Sequence, residues 1–99
     1  MIVVSGTFRL GASSVDAAKA AMIDMVAETL KEEGCITYHF YQSIEEPTVI
    51  RVFEEWETTE HLKAHGASAH MKIFRTKLAD LEMLERNVKM YETGRIVQL

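Results

Sequence analysis

The chain has 99 residues, 47% of them apolar or aromatic and 26% charged, with a net charge of −4. That length fits one ordinary domain, residues 1–99, and the high apolar content with a single proline excludes a disordered chain. No apolar run approaches the ~18 uncharged residues of a membrane span, and 11 Lys+Arg against 15 Asp+Glu leave no basic stripe for nucleic acid.

Residues 2–10 (IVVSGTFRL) are rich in β-branched and aromatic types and predict a strand. The start lacks the basic flank of a secretory signal, so none is expected. Gly11-Ala12-Ser13-Ser14 predicts a turn, with Ser13 and Asp16 at capping-box spacing. A helix to about Glu33 follows. Its apolar positions Ala18, Met22, Met25, Val26, Thr29 and Leu30 share one helical face, and Gly34 suits its C-terminal stop. Residues 35–43 and 49–57 predict two strands, and the Glu45-Glu46-Pro47-Thr48 turn makes them an antiparallel hairpin. Cys35, the single cysteine, cannot close an intrachain disulfide, so a reducing cytoplasm is the expected compartment. Thr58 predicts the N-cap of a short helix over Thr59–Ala64, interrupted at Gly66. Ser68 predicts the next cap, with Met71, Phe74, Leu78 and Leu81 on the inner face of its helix. Residues 84–92 predict a fourth strand, and the tail 93–99 stays apolar enough to dock on something.

The order β-α-β-β-α-β predicts an α+β, ferredoxin-like fold: a four-stranded antiparallel sheet with helices on one face. Ile2, Val4, Phe8 and Leu10 share one side of the first strand, and Val3 lies on the other. In the third strand Ile50, Val52 and Trp56 oppose Val49 and Phe53. Both sheet faces carry apolar residues, yet helices cover only one. A chain this short also buries only roughly 60–70% of its unfolded surface. The expected cover for the second face is the sheet of another subunit, in a symmetric homodimer.

Chemistry-bearing side chains concentrate between residues 54 and 78. His61 and His65 have the i, i+4 spacing of metal ligands, but the glutamate of HExxH is absent and no third ligand is evident. The plainer reading makes His61 a solvent-facing helix residue. His65 lies one turn after Leu62 on the side that must meet the sheet. It is open to a structural role or to acid–base work near neutral pH. His70 reads equally as a core histidine or a pocket wall, and Trp56 as a core or interface anchor or a pocket residue. Glu54 shares a strand face with Trp56 and needs a partner if buried; Lys89 and Arg9 are candidates. Six methionines suit core filling. No dinucleotide, P-loop, GxSxG or CxxC motif is present.

The pattern Glu54-x-Trp56-x5-Leu62-x2-His65-x4-His70-Met71, with Lys31-Glu32-Glu33-Gly34-Cys35 before the second strand, resembles the antibiotic biosynthesis monooxygenase domain family. The likeness is nearest to its bacterial quinol monooxygenases. It implies a dimeric α+β barrel with a pocket in each subunit, and oxidation of a small quinol or polyphenol by O₂ with no metal or flavin cofactor. By position it makes His65 the candidate base. Trp56, His70 and Phe74 become candidate cavity walls, with Tyr38 or Phe53 reaching in from the sheet. The haem-degrading branch is disfavoured, because residues 2–10 hold no Asn, His65 stands at the helical Trp position and Arg75 near the later His. Two alternatives stay open. One is an isomerase of a small carbonyl compound, phosphorylated or not, with Arg9, Arg51 or Arg75 as candidate cations for a phosphorylated one. The other is a non-catalytic dimeric binding module whose pocket is packed shut.

Overall fold

The computed structural model describes residues 1–99. Strand β1 (Ile2–Leu10) leads through a short 3₁₀ turn into helix α1 (Val15–Thr29). The hairpin strands β2 (Cys35–Gln42) and β3 (Val49–Trp56) follow, then α2 (Thr59–Gly66), α3 (Ala69–Ala79) and β4 (Met83–Glu92). The sheet order is β2-β3-β1-β4, with every neighbouring pair antiparallel. This is the ferredoxin-like α+β arrangement that the element order predicts.

The even-numbered residues of β1 and β3 face the helices. Ile2, Val4, Phe8, Leu10, Ile50, Val52 and Trp56 join Ala18, Ala21, Met22 and Met25 of α1 and Phe74 of α3 in one buried cluster. Alternation of period two places Val3, Ser5, Thr7, Arg51, Phe53 and Glu55 on the other face, which no element of the chain covers. Arg51 donates to Ser5 there at 2.9 Å, and Thr37 donates to Glu55 at 2.6 Å.

Three local expectations need correction. The residue before α1 is Ser14, not Ser13, and no side chain caps this helix. The Ser14 hydroxyl instead accepts the backbone N–H of Glu82 at 3.2 Å, tying the α1 start to the entry of β4. Helix α1 stops at Thr29, four residues short of Glu33, because residues 30–34 wind into a turn. Gly34 closes it at φ 79°, and a side chain there would strike the His61 ring as well as strain the backbone. The shorter helix matters for the site, since it puts Glu32 in the turn rather than on an outer helical face. Thr58 and Ser68 cap α2 and α3 as predicted, accepting from His61 N–H and Met71 N–H at 3.2 Å each. Leu81 lies beyond α3, which ends at Ala79. The tail departs after Thr93 binds the carbonyl of Met1, and Ile96, Val97 and Leu99 are exposed.

Candidate active site

A cavity of about 530 Å³ opens between the helix-facing side of the sheet and helices α2 and α3. Tyr38, Phe40 and Glu54 form its sheet wall, His65 and Phe74 come from the helices, and Arg75 and Arg86 also line it. A volume above ~300 Å³ is of ligand size, so the pocket is not packed shut.

His65 sits near the end of α2, one turn past Leu62, and points inward as the spacing predicts; it is 2% exposed. Its ring lies between Trp56, with centroids 4.8 Å apart, and Tyr38 at 5.2 Å. Nδ1 lies 2.6 Å from Glu32 Oε2. A carboxylate only accepts, so Nδ1 carries the proton and the lone pair of the neutral ring resides on Nε2. Nε2 is buried and has no partner in the chain. Burial lowers the His65 pKa, partly opposed by the Glu32 hydrogen bond, while His70 and Arg75 push it further down. The ring is thus held neutral and in one tautomer, with an unengaged basic nitrogen. Ser68 fixes the backbone behind it by donating to the His65 carbonyl at 2.7 Å.

Glu32 also binds His70 Nε2 at 2.9 Å through the same oxygen. Glu32, His65 and His70 are the one triad of metal-ligand type, with ligand atoms within 4.8 Å of one another. The separations of 2.6 and 2.9 Å are those of hydrogen bonds. An ion held ~2.0–2.2 Å from each ligand would require the groups to spread. His61 takes no part: it binds Thr58 Oγ1 at 2.8 Å and covers Gly34, so the HxxxH pair does not converge and His61 is not freely solvent-facing.

Glu54 is 7% exposed on the cavity wall. Neither expected cation reaches it. Arg9 pairs with Glu46 and Glu85, and the β1–β4 register puts Lys89 opposite Ser5, on the other sheet face from Glu54. Its partner is the Trp56 indole, which donates to Oε1 at 2.9 Å. Burial pushes the Glu54 carboxyl up to about 7, against the opposing pull of the Trp56 hydrogen bond.

The remaining sequence candidates separate. Tyr38 and Phe74 line the cavity beside His65. Trp56, fully buried, backs the His65 ring rather than lining the cavity, and His70 stands on the far side of Glu32. Phe53 does not reach in: it pairs with Ser5 and His39 on the opposite face of the sheet, because adjacent strand residues alternate. Of the arginines considered for an anionic ligand, Arg75 lines the cavity, whereas Arg9 and Arg51 are engaged elsewhere. Glu32 escaped the sequence reading as a site residue. Its only signal was the Lys31–Gly34 run before β2, which looks like a solvated turn.

Comparison with known proteins agrees with this architecture. Residues 1–77 match the family model for antibiotic biosynthesis monooxygenase. The chain belongs to that family. The probable quinol monooxygenase YgiN of Escherichia coli K12 is 29% identical over 89 residues, covering 77% of this chain and 84% of YgiN. A conserved protein from Methanosarcina mazei Go1 superposes with a TM-score of 0.87 at 30% identity, covering 94% of this chain and 92% of that one. A Deinococcus radiodurans protein, solved as a candidate antibiotic biosynthesis monooxygenase, gives a TM-score of 0.93 over 100% of this chain and 98% of its own. At 19% identity that likeness concerns the fold, which it extends through β4 and the tail beyond residue 77. No helix is long and apolar enough to cross a membrane.

Proposed function

We propose that the cavity is the active site of a monooxygenase that oxidises a small quinol or polyphenol with O₂ and needs neither metal nor flavin. The observation that carries this is His65: one nitrogen is held by Glu32 and the other is free, basic and buried in a mostly apolar chamber. An electron-rich hydroquinone passes an electron to O₂ readily once ionised. The protein has only to take the phenolic proton, hold the anion and exclude water. In this reading His65 Nε2 accepts that proton, and Glu32 stabilises the imidazolium that results. Electron transfer then gives a radical pair that joins as a ring peroxide. Return of the proton and loss of water leave a hydroxyquinone, so one quinol and one O₂ yield one hydroxyquinone and one water. The name of the E. coli relative supports the substrate class.

Oxygen uptake by chelator-treated protein against a panel of hydroquinones tests the proposal. Uptake above autoxidation, with label from O₂ in the product, is expected. No uptake across the panel would sink it. The second reading, an isomerase of a phosphorylated carbonyl compound, draws on Arg75 and Arg86 at the cavity. It predicts proton exchange on the substrate and no oxygen consumption.

A homodimer belongs to the same proposal. The uncovered sheet face carries half-buried Val3, Val49 and Phe53 beside Tyr41 and Tyr91, which are 52% and 49% exposed. A second copy facing this one would cover them, and the apolar tail 93–99 would dock on that partner. Light scattering should return about twice the 11.3 kDa chain mass; a stable monomer rules the pairing out.

A further inference from the structure

We propose that Glu54 is a second acid–base group of this site, which removes the ring C–H proton from the peroxide intermediate and delivers it to the departing hydroxide. The inference rests on the monooxygenase reading above and deepens it. Two protons must reach the oxygen atom that leaves as water. The phenolic proton travels on His65 to the distal peroxide oxygen. The second is bonded to the ring carbon that carries the peroxide. When it leaves, the C–H electron pair becomes the new C=O bond, the O–O bond breaks, and hydroxide departs with the O–O pair. A base must accept that proton, and an acid must meet the hydroxide.

Glu54 is placed for both tasks. It shares the cavity wall with His65 and is almost wholly buried. One oxygen is fixed by Trp56 at 2.9 Å, and the other has no hydrogen-bond partner in the chain. None of the ion pairs includes it. A carboxyl buried without a cation is costly as an anion, so it keeps or regains its proton easily. The groups around it are Glu32 in the turn, Cys35 and Tyr38 of β2, and His65 of α2. Arg75 of α3 and Arg86 of β4 complete the set. Glu32 raises the Glu54 pKa and Arg86 lowers it, and with burial the carboxyl stands at about 7, where both forms are populated near neutrality. That matches the requirement of a proton shuttle.

Without this base the peroxide has another exit. It expels hydrogen peroxide and leaves the plain quinone, which balances as one quinol plus one O₂ giving one quinone plus one H₂O₂. The test is product partition in Glu54→Gln, which keeps the side-chain volume and an acceptor for Trp56. Oxygen insertion should fall by ~10²–10⁴-fold, with H₂O₂ released in near-equal amount to the O₂ still consumed. Glu54→Asp, which keeps a carboxyl, should restore part of the insertion. In wild type the inserted fraction should rise with pH through about 7, and in Glu54→Gln it should be flat. Unchanged partition in an active Glu54→Gln overturns this inference alone. A wild type that consumes no O₂ with any hydroquinone overturns the monooxygenase reading and this step with it. Should Glu54→Gln fail to fold, the wild-type pH profile decides: an inserted fraction that stays flat through about 7 overturns the shuttle.

Discussion

Turnover should fall by ~10²–10⁴-fold in His65→Gln, with the fold retained. The carboxamide still donates to Glu32 as Nδ1–H does, so the buried carboxylate keeps a partner. It offers no nitrogen lone pair able to take a proton. The stability cost is expected to be about 1–3 kcal/mol, because the ring is 2% exposed and packed between Trp56 and Tyr38. Urea unfolding measures that cost separately from the rate. His61→Ala is the matched control on the same helix. His61 binds Thr58 and covers Gly34, outside the cavity, and its removal should leave turnover at the wild-type level. Full activity in His65→Gln, with His61→Ala equally active, would remove His65 from the chemistry.

The frame of the site was legible in the sequence because local rules govern it. Alternation in IVVSGTFRL and VIRVFEEW set which strand residues meet the helices, and Thr58 and Ser68 marked the helix starts. The i, i+3 step from Leu62 to His65 told which way the histidine turns. Glu32 was not legible, because its contact with His65 spans 33 positions and depends on the left-handed turn at Gly34. That turn separates two adjacent glutamates with identical chemistry: the Glu33 side chain is 94% exposed, and that of Glu32 is 16%. Phe53 shows the opposite failure. Period two already set it against Trp56, so its place in a pocket with Trp56 contradicted the strand pattern itself. Glu54 was correctly seen to need a partner. The partner is its own neighbour two residues on, reached along the same strand face, rather than a distant cation.

The burial that prepares Glu54 for proton transfer has a price in stability, and its pH dependence can be signed. The folded protein holds this proton up to about 7, well above an ordinary carboxyl. The group therefore stabilises the fold fully only well below the ordinary carboxyl value of 4.5, where both states are protonated. The contribution is lost as pH rises through about 7, because the unfolded chain ionises freely and the folded one must do so inside the cavity. His65 acts on the other side. Its folded pKa is lowered, so it favours the fold above the ordinary imidazole value and weakens it as pH falls below. Below the ordinary imidazole value the two trends therefore oppose each other, and above it the Glu54 loss alone continues up to about 7. In Glu54→Gln the alkaline limb should disappear and the acid limb remain. At pH 8.5 the variant should exceed wild type by an amount on the order of 2–3 kcal/mol, and near pH 5 the two should differ little. Urea midpoints at the two pH values read this directly. An equal decline of both proteins toward pH 8.5 would mean that Glu54 ionises in the cavity without cost, and that burial does not hold its proton.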